Sequence, residues 1–341
     1  MSRLFKIGVD AMGGDNAPAE IVKGAYMAVE KYADVEVTLF GREDDIKKYL
    51  PASHNRIKII HCEDVIPMDT HDPAMAIRRQ KESSLVVACK AVKNGEIEAL
   101  VSAGATGALI AGGTLLVKRL KSVDRPALAP LMPTIKKGAT TILCDAGATS
   151  ESKASFIYQN AKLADIYAKN VLGIKNPKIG LLNIGTEDAK GGAEQVEAFG
   201  LLKNDSSLNF QGNIESKSMI SGEVDIIAAD GYSGNIALKA VEGTAKDIFA
   251  LLKEEIMSTT KGKMGGLLLK STFAGIKDII NPKTVGGAIL LGISAPVIKS
   301  PGSSDAETFM YSIGHAKKAV ENDVIGKIES ALAVSTENAS E

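Results

Sequence analysis

Five segments of this 341-residue chain carry the residue types that handling an anion requires. They are DAMGGDNAP (10–18), SAGATG (102–107), DAGAT (145–149), GTEDAKGG (185–192) and DGYSGN (230–235). Each sets glycine, which lets a backbone approach closely, beside acidic or hydroxyl residues where a helix should start. In the first, Asp15 or Asn16 is expected as the N-cap, with Pro18 in the first helical turn. Helix N-termini reached through such loops offer free N–H groups and the positive end of the helix dipole, so a phosphate-type ligand follows. A single loop of this kind is an ordinary strand-to-helix turn, whereas five on one sheet edge point to a site. Substrate-binding candidates are Asp10, Gly13, Gly14, Asp15, Asn16, Ser102, Gly104, Thr106, Gly107, Asp145 and Gly231.

The elements needed to hold these loops are legible as short apolar runs rich in Val, Ile and Leu. They begin at residues 5, 36, 57, 98, 140, 178 and 224. Between them, Pro18 to Tyr32, Lys81 to Lys93, Ser152 to Leu172 and Asn235 to Leu252 place apolar residues at helical spacing. That alternation predicts an α/β fold of three layers, a mostly parallel sheet covered by helices on both faces. One large catalytic domain over 1–335 is expected, followed by a disordered tail, 336–341. A helical hairpin inserted over 243–281 should turn through the polar stretch STTKGKMGG. Ala99 to Val117 carries no charge, yet its glycines and hydroxyls suit a buried strand, a turn and a helix start better than a membrane span.

Composition removes several classes. Lys+Arg 40 against Asp+Glu 41 leaves a net charge of -1 and no global field for nucleic acid. Cys62, Cys89 and Cys144 are odd in number and widely spaced, which suits buried, reduced thiols in a cytoplasmic protein rather than a metal site. No apolar secretory segment precedes the first strand. There is no GxGxxG after the first strand, no Walker loop and no GxSxG elbow. None of the four histidines lies in a candidate loop, so each is expected to be structural or on the surface. No cofactor and no metal are expected.

VDAMGGDNAP, IRRQKESS (77–84), SAGATGALIA, RPALAP (125–130), GLLNIGTEDAKG, DGYSGNIALKAVEG and SPGSSDA run in order over nearly the whole chain. Together they closely resemble the PlsX family of phosphate acyltransferases. The resemblance implies a fold like that of phosphate acetyltransferase and isopropylmalate dehydrogenase, and a homodimer. It implies transfer of a fatty acyl group from acyl-[acyl carrier protein] to inorganic phosphate. The acyl phosphate would feed a membrane glycerol-3-phosphate acyltransferase in phospholipid synthesis. It also implies that Lys190 holds phosphate or offsets the developing oxyanion, that Asn235 donates to the thioester carbonyl, and that Ser303 joins the binding set. Without the resemblance, Lys190 reads as a solvated loop cation and Asn235 as a helix N-cap. Such a site needs no strong base, because phosphate is already anionic and a thiolate leaves readily.

The chain departs from the family pattern at Ala105, Thr149 and Gly192, where the family usually has Asn, at Ala193, where it has Glu, and at Pro301, where it has His. Three readings stay open: the carrier-protein donor, an acyl-CoA donor, or a weakened scaffold of the same fold. A hydride-transfer enzyme of the related dehydrogenase fold ranks lower, since no metal-binding aspartate cluster is visible. The basic run Arg78, Arg79 and Lys81 is expected either to dock an acidic carrier protein or to be a solvated helix start. Met264, Leu267, Leu268 and Leu269, beside Lys261, Lys263 and Lys270, make an interfacial pattern. By composition they could equally pack against a partner hairpin. The family resemblance favours reversible attachment to the inner face of the cell membrane.

Overall fold

The computed structural model describes residues 3–280 and 286–337. Among the described residues eleven strands join in one sheet: β1 Phe5–Asp10, β2 Val35–Gly41, β3 Ile57–His61, β4 Ala99–Ser102, β5 Ala127–Pro133, β6 Thr140–Cys144, β7 Lys178–Asn183, β8 Asn209–Glu215, β9 Ile226–Ala228, β10 Ala288–Leu291 and β11 Val297–Lys299. All seven runs read as strands from the sequence are strands, and β5, β8, β10 and β11 are additional.

The strand order is β3-β2-β1-β4-β11-β10-β5-β6-β9-β7-β8. From β3 to β11 every pairing is parallel, and from β6 to β8 every pairing is parallel again. Between these halves, β10 is antiparallel to both β11 and β5, and β5 is antiparallel to β6. Three successive reversals make the two halves run in opposite directions. Loops after β1, β4 and β11 therefore open at one sheet edge, and loops after β6, β7 and β9 at the other. The register agrees: Ala288 faces Pro130 and Lys299, while Leu128, earlier on β5, donates its N–H to Asp145 just beyond β6. The expectation that all five loops share one edge is thus corrected.

Helices cover both faces. On one face Ala19–Lys31, Ala154–Asn170, Ala193–Asn204, Ala306–Glu321 and Val324–Glu337 bury Ile21, Ile157, Tyr167, Leu202, Phe309 and Ile328 in a continuous core. Full burial of each such side chain is worth about 1.5–3 kcal/mol. Gly24 lets the first of these helices close on Ala306–Glu321, since a Cβ there would lie 2.6 Å from the Ala306 carbonyl oxygen. The other face is split into two cores. One is built on Pro73–Arg79, Ser84–Lys93 and Thr106–Gly112, the other beneath Gly231–Ser258.

Local starts differ from expectation in instructive ways. The first helix begins at Ala19 with Pro18 as N-cap, and the Asn16 side-chain amide donates to the Ser303 and Ser304 carbonyls. The helix expected from Lys81 begins at Ser84, and the basic run falls on the last turn of Pro73–Arg79 and the connection after it. Ala99 to Val117 forms β4, a turn, the helix Thr106–Gly112 and a π-helical turn, as its glycines suggested.

The polar stretch read as a hairpin turn is mostly helical. Gly231–Ser258 is followed by Thr260–Leu268 and Lys270–Ile280, with Thr259 capping the second by accepting from the Gly262 N–H. Two of its three glycines serve close packing: a Cβ on Gly262 would lie 2.3 Å from the Ile256 carbonyl oxygen and one on Gly266 2.6 Å from Ile256 Cγ2. Residue 281, the predicted hairpin end, lies outside the described residues. The last helix runs to Glu337, so Thr336 and Glu337 are not a disordered tail, and 338–341 lie outside the described residues. Among the described residues no helix is long and apolar enough to cross a membrane.

Candidate active site

At the edge where β6, β7 and β9 end, Asp145 organises its own loop. It is buried, and its carboxylate accepts from the backbone N–H groups of Gly147 (3.1 Å), Ala148 (2.9 Å), Thr149 (2.9 Å) and Leu128 (2.9 Å). Burial raises its carboxyl above the ordinary value, and the four donors oppose that rise. Gly231 and Gly234 press the next helix onto this loop, since a Cβ on either would lie within 2.5 Å of atoms of Asp145 or Thr149.

That helix is capped by Asp230, which accepts from the Ser233 N–H (2.8 Å) and from Gln195 Nε2 (3.1 Å). Asn235 therefore stands inside the helix, not at its cap, with an exposed side chain over Gly147. Lys190 sits in the loop after β7. Asn183 Nδ2 holds the Lys190 carbonyl (2.8 Å), and Asn213 supports Asn183 and the Glu187 carbonyl. The Lys190 ammonium itself is loosely paired, 3.8 Å from Glu187 and half-exposed. The Gln195–Asp230 bond ties the start of Ala193–Asn204, directly after the Lys190 loop, to the start of the helix bearing Asn235. Lys190, Asn235, Asp145 and Gly231 thus share one edge.

The remaining candidates lie at the opposite edge. Asp10, at the end of β1, is buried and accepts from Ser84 Oγ (2.6 Å) and Ser102 Oγ (2.7 Å). Burial raises its carboxyl, and the two hydroxyls pull it back. Gly13 and Gly104 cross at close range, a Cβ on Gly13 being 2.5 Å from Asp10 Oδ2 and 2.8 Å from Gly104. Gly14 adopts φ +113, and the Asp15 N–H donates to the Gly302 carbonyl. Asp15, Asn16, Gly107 and Ser303 are exposed around this crossing, and Thr106 is half-buried. Asp10 and Ser102 hold the loops together and present no free atom outward.

Sequence reasoning missed Lys299, the last residue of β11. It is 8% exposed, donates to the Ala103 (3.2 Å) and Ser300 (2.6 Å) carbonyls, and among the described residues has no carboxylate within 4 Å. Burial, then the Lys239 ammonium, lower its pKa to about 8 against the pull of Asp15 and Asp10. The available signal was an apolar run, Val297-Ile298, ending in a lysine that strand alternation puts on the buried side of Val297.

Arg78, Arg79 and Lys81 are exposed. Leu267 and Leu268 are 74% and 83% exposed on the second hairpin helix. The three cysteines are buried and free, with thiols pushed up to about 11 at Cys62 and about 12 at Cys89 by burial, as inert structural thiols should be. His315 is buried between Tyr167 Oη (2.9 Å) and the Gly286 carbonyl (3.0 Å), a satisfied structural histidine as expected. Among the described residues no cluster of three or more His, Cys, Asp or Glu could hold a metal ion.

The two-directional α/β sheet is similar in fold to solved phosphotransacylases. A phosphotransacetylase from Streptococcus pyogenes superposes with TM-score 0.59 at 16% identity, covering 95% of this chain and 94% of that one. A branched-chain phosphotransacylase from Enterococcus faecalis gives 0.58 at 17%, covering 93% and 99%. At that identity the likeness establishes the fold. The family model described as fatty acid synthesis protein matches residues 5–327. Phosphate acyltransferases from Pediococcus pentosaceus and Streptococcus sanguinis are each 46% identical, covering 94% and 95% of this chain and 92% and 97% of theirs. The chain belongs to this fatty acid synthesis family of phosphate acyltransferases, as its motifs indicated, and is an acyltransferase.

Proposed function

We propose that this protein transfers a fatty acyl group from acyl-[acyl carrier protein] to inorganic phosphate, releasing acyl phosphate for phospholipid synthesis. The observation that carries the reading is the edge on which Lys190, loosely paired, and Asn235, exposed, are fixed by the Gln195–Asp230 bond. A phosphate oxygen attacks the thioester carbonyl carbon, the C–O bond forms, and the C–S bond breaks with its electron pair leaving on sulfur. The thiolate then takes a proton from water. Asn235 donates to the oxyanion and Lys190 offsets its charge, electrostatic roles that need no covalent protein nucleophile. The buried thiols, their pKa values raised, fit that division of labour. The experiment is acyl phosphate release from acyl-carrier protein and, in parallel, from acyl-CoA. Product from the CoA ester alone replaces the donor, and none from either leaves a scaffold.

The catalytic unit works as a homodimer in the cytoplasm, with Arg78, Arg79 and Lys81 docking the acidic carrier. Arg79→Glu then raises KM for acyl-carrier protein and spares that for phosphate; equal effects on both would remove the docking role. Met264, Leu267, Leu268 and Leu269 provide reversible attachment to an anionic lipid surface, close to a membrane acyltransferase that consumes the labile product. Their exposure beside exposed Lys261, Lys263 and Lys270 supports this. Leu267→Glu with Leu269→Glu abolishes sedimentation with anionic liposomes while dimer mass is kept. Binding that persists, or that fails only because the dimer dissociates, defeats the anchor.

A further inference from the structure

Among the described residues Lys299 is a cation without a counter-ion within 4 Å. An ammonium taken out of water is costly unless it is paired, and its two hydrogen-bond partners, the Ala103 and Ser300 carbonyls, carry no net charge. The nearest carboxylates do not serve it: the oxygens of Asp10 are engaged by Ser84 and Ser102, and Asp15 is exposed. A second cation, Lys239 of the helix Gly231–Ser258, is close enough to weaken the protonation of Lys299. Lys239 is itself exposed and one helical turn beyond Asn235, on the same helix face. Lys239, whose ammonium also pairs with Glu242 at 2.8 Å, and Lys299 thus come from the two halves of the sheet and repel, and among the described residues no carboxylate lies within 4 Å of Lys299. Next to Ala103, whose carbonyl Lys299 contacts, Gly13 and Gly104 cross at close range and Gly14 packs on Ala103 and the Gly302 carbonyl.

We propose that Lys299 and Lys239 together seat a tetrahedral phosphate-type oxyanion between the two halves of the sheet. The assignment rests on the phosphate chemistry proposed above and gives it a second anion contact besides Lys190. The same chemistry could arrive as free inorganic phosphate or as the phosphate ester of the donor's pantetheine arm, and the two sources read out differently. A purely structural Lys299, clamping the Ala103 and Ser300 carbonyls, would affect neither.

The test compares wild type, Lys299→Met and Lys239→Met by steady-state kinetics and by thermal shift with inorganic phosphate. If free phosphate is the occupant, Lys299→Met raises KM for phosphate about tenfold or more, the usual worth of one charged hydrogen bond. KM for the acyl donor stays put. Lys239→Met, the exposed partner, gives a smaller rise in the same constant. A rise confined to the donor's KM identifies the ester as occupant and keeps the seat. Unchanged KM values in an active, folded Lys299→Met overturn the seat while leaving the acyltransferase reading intact. If wild type makes no acyl phosphate, that reading fails, and loss of phosphate-induced thermal protection in Lys299→Met still decides the seat.

Should Lys299→Met not fold, wild type alone is decisive. Phosphate is fully dianionic above about pH 8, whereas Lys299, with Asp10, Asp15 and Lys239 as its charged neighbours, is losing its proton there. Protection by phosphate then fades as pH rises beyond about 8, and protection that stays constant up to pH 10 overturns the proposal.

Discussion

Asp10 and Asp145 occupy matching places in the two halves of the sheet, each at a strand end and each followed by alanine and a glycine-bearing turn. Their partners differ. Asp10 gathers hydroxyls from Ser84 and Ser102, 74 and 92 residues away. Asp145 gathers backbone N–H groups, three of them from the four residues that follow it. One loop is thus assembled by tertiary packing and the other closes on itself. Hydroxyls can rotate to give or accept a hydrogen bond, and amide N–H groups cannot. The first half is therefore tolerant at its buried acid, and the second half is not.

Asparagine substitution separates the two. In Asp145→Asn an amide must face either Thr149 N–H or the cluster of Leu128, Gly147 and Ala148, so at least one buried donor is stranded. The expected loss is about 3 kcal/mol or more in urea unfolding. Asp10→Asn lets Ser102 turn to accept, and about 1 kcal/mol is expected. A pH term accompanies it. Burial raises the Asp10 carboxyl above its unfolded value, so the folded state holds more protons between those two values and stability falls as pH rises through that window. Asp10→Asn has no such term, so its deficit against wild type shrinks as pH rises there. Equal losses at both positions would erase the contrast between the halves.

The next test asks whether the self-closed half is the catalytic one. Lys190→Ala and Asn235→Ala should each lower turnover by roughly 10²-fold, the usual cost of one preorganised oxyanion donor. Melting temperature should hold, because both side chains are exposed. Near-normal rates with normal stability would move the chemistry elsewhere, Lys299 being the first place to look.

The seven strands visible in the sequence were those whose Val-, Ile- and Leu-rich runs stand between helical stretches. The four that were not include all the reversals. β5 contains Pro130 and Pro133, which lack the N–H a ladder uses, and β10 and β11 are four and three residues long between glycine- and proline-bearing turns. Missing them hid the change of direction, so candidates from two edges looked like one set. Loop identity was legible because glycine and acid spacing is local. The burial of Asp10 and Lys299 was not, because Ser84, Ser102, Ala103 and Lys239 reach them only through the fold. The turn assigned to STTKGKMGG failed for a related reason: Gly262 and Gly266 act as packing surfaces against Ile256, not as breaks.

The smallest effect concerns how each half starts its helix. In the second half Asp230 caps Gly231–Ser258 through the Ser233 N–H. In the first half Ala105 occupies the N-cap of Thr106–Gly112 with extended backbone, ψ 122, and has no side chain able to accept a hydrogen bond. The family pattern usually has asparagine at this position. Ala105→Ser supplies an acceptor of small volume at a position already in cap geometry, and a gain of about 1 kcal/mol is expected. Asp230→Ala should lose at least that much, since it removes both the cap and the Gln195 contact. Paired thermal melts check both signs. If Ala105→Ser brings no gain while Asp230→Ala costs the expected amount, the first-half loop holds its helix start by packing alone, and the tolerance assigned to that half ends at Asp10.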